Sequence, residues 1–130
     1  MILISGSSFG TAINCIDGRA QEPVIKWVKK NHSVDFVDLI TIEGPDRVVS
    51  EEVPNRIYIL KKKIIVSIDA HNSKTLVIAG HYDCAGNPVS KEEHFEQIKK
   101  SAELIRSWNF PIKVIGLWVN DKWEVEVLEQ

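Results

Sequence analysis

Apolar residues recur along this chain with two different periods, and each change of period marks a change of element. The run Thr75-Leu-Val-Ile-Ala-Gly80 is continuously apolar and largely β-branched, which predicts a strand buried on both faces. Ile112–Val119 reads the same way, and Val34–Ile42 alternates loosely until the turn signal Glu43-Gly44-Pro45. A further candidate strand starts at Ser8 and runs through Cys15 towards Arg19. Trp123–Leu128 alternates strictly, as a half-exposed antiparallel edge strand should.

Between these runs the period lengthens to that of a helix. Pro23 in a first turn, apolar Val24, Ile25, Trp27 and Val28, and closing Lys29 and Lys30 predict a helix over 22–31 that matches its own dipole. Ile57, Leu60, Ile64, Ile65 and Ile68 predict a second over about 55–72, with Lys61, Lys62 and Lys63 on its solvated face. Ser90-Lys-Glu-Glu93 has the capping-box pattern, and Phe95, Ile98, Ala102, Ile105 and Trp108 continue one apolar face until Pro111. Strands separated by helices and closed by a hairpin give an α/β fold: a mostly parallel β-sheet flanked by helices, with a C-terminal antiparallel hairpin.

Ligands of open α/β sheets sit beyond the carboxyl ends of the strands, so the residues there carry the candidate chemistry. The central run ends in His81-Tyr82-Asp83-Cys84, and the other cysteine of the chain, Cys15, ends the first candidate strand. Asp17 and Arg19 follow Cys15 at alternate positions, which in extended chain would point the thiol, carboxylate and guanidinium to one side. A cysteine at a strand end is ordinarily a small buried hydrophobe. If the two strands are parallel neighbours, however, Cys15, His81 and Cys84 converge into a two-thiolate, one-imidazole set, a catalytic type of zinc site with a fourth position open. Catalytic groups are expected to gather at Cys15–Arg19, Glu43–Asp46 and His81–Asn87. Tyr82 and Asp83 are candidate supports for the metal ligands. His32, His71 and His94 are expected in solvent.

Composition narrows the alternatives. Sixteen basic against eighteen acidic residues give a net charge of −2, so neither nucleic acid nor an anionic membrane is called for. At 130 residues and 44% hydrophobic, the chain suits one domain over 1–130. Met1-Ile-Leu-Ile-Ser-Gly6 lacks the features of a signal peptide and no run is long enough to span a membrane, so a cytoplasmic protein is expected. A cysteine-phosphatase or rhodanese type of loop is disfavoured, because Cys84 is followed by no arginine and Cys15 to Arg19 is too short to cradle an anion.

Cys15-Ile-Asp17-Gly-Arg19 with His81-Tyr-Asp-Cys84 resembles the β-class carbonic anhydrases, which carry a C-x-D-x-R and an H-x-x-C motif in this order. Ser67-Ile68-Asp69-Ala70 is similar to the family's Ser-Leu-x-Tyr-Ala element, and the Val114-Ile-Gly116 strand with its hairpin continues the likeness. The chain departs from the family pattern at Gly18, where serine is usual, and at Ala85, where glycine is usual. Glu43-Gly44-Pro45-Asp46 replaces an Arg-Asn-Ala-Gly-Asn segment, and the family's N-terminal helical arm is not recognisable, so the resemblance is to a minimal, divergent member. It implies a β-carbonic-anhydrase-like fold and zinc on Cys15, His81 and Cys84. It also implies a zinc-dependent lyase interconverting CO2 and bicarbonate by a zinc-bound hydroxide. Asp17 would accept a hydrogen bond from that nucleophile, and Arg19 would hold Asp17 away from the metal. If instead Asp17 ligates zinc, the site is closed. A homodimer is implied, with Trp118 and Trp123 of the last hairpin as candidate contact residues. Two other readings stay open: a non-catalytic metal-binding or regulatory module, and a hydrolase of a related small electrophile such as COS or CS2.

Overall fold

The computed structural model describes residues 7–130; the opening Met1–Gly6, on which the signal-peptide reading partly rests, lies outside the described residues. In chain order the elements are β1 (Phe9–Asn14), a 3-10 turn (Gly18–Ala20), α1 (Gln21–His32), β2 (Phe36–Thr41), α2 (Pro45–Ser50), α3 (Pro54–His71), β3 (Thr75–His81), α4 (Lys91–Ser107), β4 (Lys113–Val119) and β5 (Val125–Glu129). The five strands form one sheet in the order β2-β1-β3-β4-β5, parallel except for β5, which returns antiparallel to β4. The expected architecture is therefore present. No described helix is long and apolar enough to cross a membrane.

Side-chain alternation divides the sheet into two faces. Ala12, Val77, Ala79, Ile115 and Leu117 pack with Val24 and Val28 of α1. Ile13, Leu76, Ile78 and Val114 pack with Val49 of α2, Leu60 and Ile64 of α3, and Ala102 and Ile105 of α4. The connection from β1 to β2 thus crosses one face, and that from β3 to β4 crosses the other. The carboxyl ends of β1 and β3, neighbours in the sheet, flank the point where strand order reverses, which is where open α/β sheets bind ligands.

Local chemistry accounts for the boundaries. The Ser90 hydroxyl accepts from the Glu93 amide at 3.1 Å, so the expected cap starts α4. Asn72 ends α3 in a left-handed conformation at φ 52°.

Three expectations change. β1 ends at Asn14, and Asp17 caps a 3-10 turn, so Cys15, Asp17 and Arg19 are arranged by a turn and not by extended chain. After the turn signal Glu43-Gly44-Pro45, where periodicity assigns no element before about residue 55, the chain forms α2, for which Gly44 at φ 58° makes the entry. Trp118, expected as a contact residue of the hairpin, is 2% exposed and packs edge-on against Phe95 of α4, so it offers no surface to a partner.

Alternation along β3 places Gly80 on the α4 face, where an added Cβ would lie 2.6 Å from Asp46 Oδ2 and 2.9 Å from Ile98 Cδ1. Gly80→Ala is therefore expected to destabilise the protein by about 2 kcal/mol through overpacking. Urea denaturation checks this, and an unchanged midpoint would show that α4 has room to shift.

Candidate metal centre

The three residues expected to converge do so. One ligand atom each from Cys15, His81 and Cys84 lies within 4.8 Å of the others, and all three residues are buried. The sulfurs are 3.9 Å apart, far beyond the ~2.05 Å of a disulfide. Two thiolates on one tetrahedral zinc, at Zn–S of about 2.3 Å, sit roughly 3.8 Å apart, so the spacing suits a shared ion.

The histidine supplies a second test of fit. His81 Nδ1 lies 2.7 Å from the Tyr82 carbonyl, to which it donates, and this fixes the ring and its tautomer. Nε2 is buried without a hydrogen-bond partner among the described residues. A buried ring nitrogen without a partner is costly unless something binds its lone pair, and here it belongs to a cluster that could hold a metal. The turn that returns Cys84 to His81 passes through Asp83 at φ 57°, a conformation aspartate tolerates better than most residues.

The two sulfurs lie within hydrogen-bonding reach of each other. The Cys84 thiol, donating to Cys15, holds Cys15 well below the ordinary thiol range, against the opposing effect of burial. Cys84 is pushed up by Cys15 and by burial. For His81, burial favours the neutral ring, and the nearby Cys15 thiolate and the Tyr82 carbonyl outweigh it, so the pKa rises. A cation bound among these groups would relieve the repulsion that keeps the second thiolate from forming.

Asp17 and Arg19 stand beside this cluster as a bidentate pair. Arg19 Nη2 donates to Asp17 Oδ2 at 2.7 Å and Nε to Oδ1 at 3.1 Å, while the Arg19 backbone amide donates to Oδ1 at 3.0 Å. The Arg19 side chain holds the Asp17 carboxyl down to about 2. Asp83, expected near the site, accepts from Arg19 Nη1 at 3.3 Å, and Tyr82 contributes its carbonyl as described.

The Glu43–Asp46 segment divides. Glu43 pairs with Arg56 of α3, whereas Asp46 turns inward and is fully buried. Its carboxylate receives His94 Nδ1 at 2.6 Å and Asn87 Nδ2 at 3.0 Å. His94, expected in solvent, is 2% exposed. The sequence held the signal: His94 lies four residues before Ile98 and so shares the buried face of α4. His71, also expected in solvent, is half-buried, with Nδ1 2.6 Å from Asp38 Oδ2. A pocket of about 430 Å³, lined by Tyr82, Cys84, Val89, His94 and Trp118 among others, opens beside Cys84. Trp123, outside both motifs, lies with its ring centroid 6.3 Å from that of His81.

Comparison with known proteins gives the family and the fold. Residues 5–129 match a family model described as "Putative carbonic anhydrase", and the chain belongs to that family. No curated protein matches the sequence significantly. Among solved structures, a carbonic anhydrase from Glaciozyma antarctica superposes with a TM-score of 0.57 at 12% identity, over 91% of this chain and 80% of that one. One of two tetrameric β-carbonic anhydrases from Sordaria macrospora gives 0.59 at 13% identity, over 95% and 82%. The β-carbonic anhydrase of Aspergillus fumigatus gives 0.51 at 14%, over 94% and 75%. At such identities the likeness is one of fold.

Two outcomes follow from the electrostatics. Asp46→Ala leaves His94 buried without its partner and should cost about 3 kcal/mol or more, measured by urea denaturation at neutral pH. The Arg19 guanidinium holds the folded Asp17 carboxyl at about 2, below its ordinary value of 3.8. The stability it contributes is thus complete above the unfolded value and lost as pH falls through the folded one. In chelator-treated protein, Asp17→Asn should flatten the loss of stability across that acid window. Parallel acid limbs for variant and wild type would show that the pair contributes nothing to folding.

Proposed function

We propose that the protein is a zinc-dependent carbonic anhydrase that interconverts CO2 and bicarbonate at the Cys15–His81–Cys84 centre. The observation that carries this reading is a buried set of two sulfurs and one unpartnered imidazole nitrogen beside a carboxylate already engaged by arginine. Zinc in such a set acts as a Lewis acid and makes hydroxide available from water near neutral pH, a nucleophile suited to the carbon of CO2.

The remaining steps belong to side chains. Two thiolates and a neutral imidazole would offset the charge of a bound ion, and the Tyr82 carbonyl, by engaging Nδ1, leaves Nε2 of His81 as the ring atom that would ligate it. Asp17, ionised throughout the neutral range, can only accept hydrogen bonds. It therefore accepts from the attacking nucleophile and aims a lone pair at the carbon. Arg19 occupies both Asp17 oxygens and so competes with the metal for them. Its positive charge also attracts bicarbonate in the reverse direction.

A second copy of the chain is proposed as a partner. Among the described residues no strand pairs with the outer edge of β2, and Phe36 on it and Tyr58, Ile59, Ile65 and Val66 on α3 are exposed apolar residues. Light scattering at micromolar concentration should give the mass of a dimer, and a monomer would remove this part of the proposal.

Protein purified without chelator should carry about one zinc per chain, and Cys84→Ser should lose it. Protein that neither carries zinc nor takes it up at neutral pH would overturn the site assignment. Asp17→Asn should keep the metal and lose about a hundredfold in CO2 hydration. Full activity in that variant would make the pair structural. Zinc-loaded wild type inactive on CO2 across the neutral range would favour the non-catalytic module, or hydrolysis of COS or CS2.

A further inference from the structure

Arg19 stands where the open or closed state of the centre is decided, yet 48% of its side chain is exposed. An exposed ion pair holds geometry weakly by itself. The edge of the guanidinium makes four hydrogen bonds: beyond its two to Asp17 it donates to Asp83 Oδ2 at 3.3 Å and to the Asp83 carbonyl at 3.2 Å. Its face is covered as well, because the guanidinium carbon lies 4.6 Å from the ring centroid of Trp123, within cation–π range. The same indole packs edge-on against Tyr82, with centroids 6.4 Å apart, and stands 6.3 Å from His81. One side chain from the far hairpin therefore touches the arginine of the first motif and the opening residues of the second.

The backbone at Trp123 is adapted to this placement. Its φ is 59°, in the left-handed region that bulky residues rarely occupy. The turn holding it is closely tied: Asn120 Oδ1 accepts from the Lys122 and Glu124 amides, each at 3.0 Å, and the Trp123 amide donates to the Asn120 carbonyl at 2.9 Å. Glycine or asparagine would meet this conformation at lower cost. A tryptophan kept in a conformation over-determined by its surroundings points to a use for the side chain.

We propose that Trp123 is a positioning residue that holds Arg19 across the Asp17 carboxylate and so keeps Asp17 from ligating the metal. The inference rests on the metal-site reading given above. Without the indole, the guanidinium regains rotamers and contact with water, Asp17 is released for part of the time, and its oxygen reaches the ion. A face contact of this kind shifts such a balance by about tenfold.

The test uses cobalt(II) as the metal probe in the full chain. Trp123→Ala should change the visible absorption of the cobalt protein as a carboxylate oxygen enters the coordination sphere, with about a tenfold larger closed fraction than wild type. Trp123→Phe, which keeps an aromatic face, should restore the wild-type spectrum. Asp17→Asn combined with Trp123→Ala should show no carboxylate entry. An unchanged spectrum in Trp123→Ala, or a shift that persists in the double variant, would overturn the proposal. Wild type that binds no cobalt would instead defeat the metal reading. A second readout then decides the clamp in chelator-treated protein. Exchange of the Arg19 Nε–H with water, followed by NMR and assigned by its loss in Arg19→Lys, should be about tenfold faster in Trp123→Ala than in wild type or Trp123→Phe. Equal rates would show that Trp123 does not hold Arg19.

Discussion

The parallel pairing of β1 with β3 is the constraint on which the rest depends. Thr11, Ala12 and Ile13 stand opposite Leu76, Val77 and Ile78. Counting on in that register brings Cys15 level with Gly80, one residue short of His81. Because side chains alternate with a period of two, a slip of one residue would carry His81 to the other face of the sheet and break the three-residue set. The apolar residues flanking both strands pin the register, since any slip would also expose one of the two core clusters. Burial of the core and assembly of the centre are thus one event.

Two polar clusters meet near the end of β3. On the α1 face His81 directs Nδ1 at the Tyr82 carbonyl and shares its neighbourhood with Trp123. On the α4 face Asp46 receives His94 and Asn87 and presses against Gly80. Cys84 stands between them, raised by the Cys15 sulfur first and to a lesser degree by the charge of Asp46. Both clusters are enclosed by apolar side chains, where paired charges hold firmly and unpaired ones are costly. The Asp46–His94 pair joins α2 to α4 and backs the loop that carries Cys84. In this way the short helix that opens at Pro45 backs the loop beside the cluster.

Membership in the carbonic anhydrase family is shown over nearly the whole chain, although identity to the superposed structures is only 12–14%. What the superpositions show at that distance is the fold. The turn after β1 is compact: Asp17 caps it, its carboxylate takes the Arg19 amide, and the same carboxylate then takes the guanidinium. One aspartate therefore shapes the backbone and orients the arginine, which explains how three alternate residues outside a strand can act together.

Periodicity and capping determined the elements: the apolar run before His81, the helical face from Phe95 to Trp108 and the alternation near the C-terminus each specify their own conformation through local burial. The two short motifs likewise determined which groups could meet, because thiols and imidazole at strand ends have few other roles in combination. Only the tertiary structure decided the remainder. The turn at Asp17 replaced extended chain because hydrogen bonds to a side chain outweighed strand pairing beyond Asn14. The inward turn of Asp46 towards His94 joins residues 48 positions apart, and the cover of Trp123 over Arg19 joins residues still further apart in the chain. Neither leaves a period or a motif in the sequence, because each is a contact between elements that first meet when the sheet has closed its two faces.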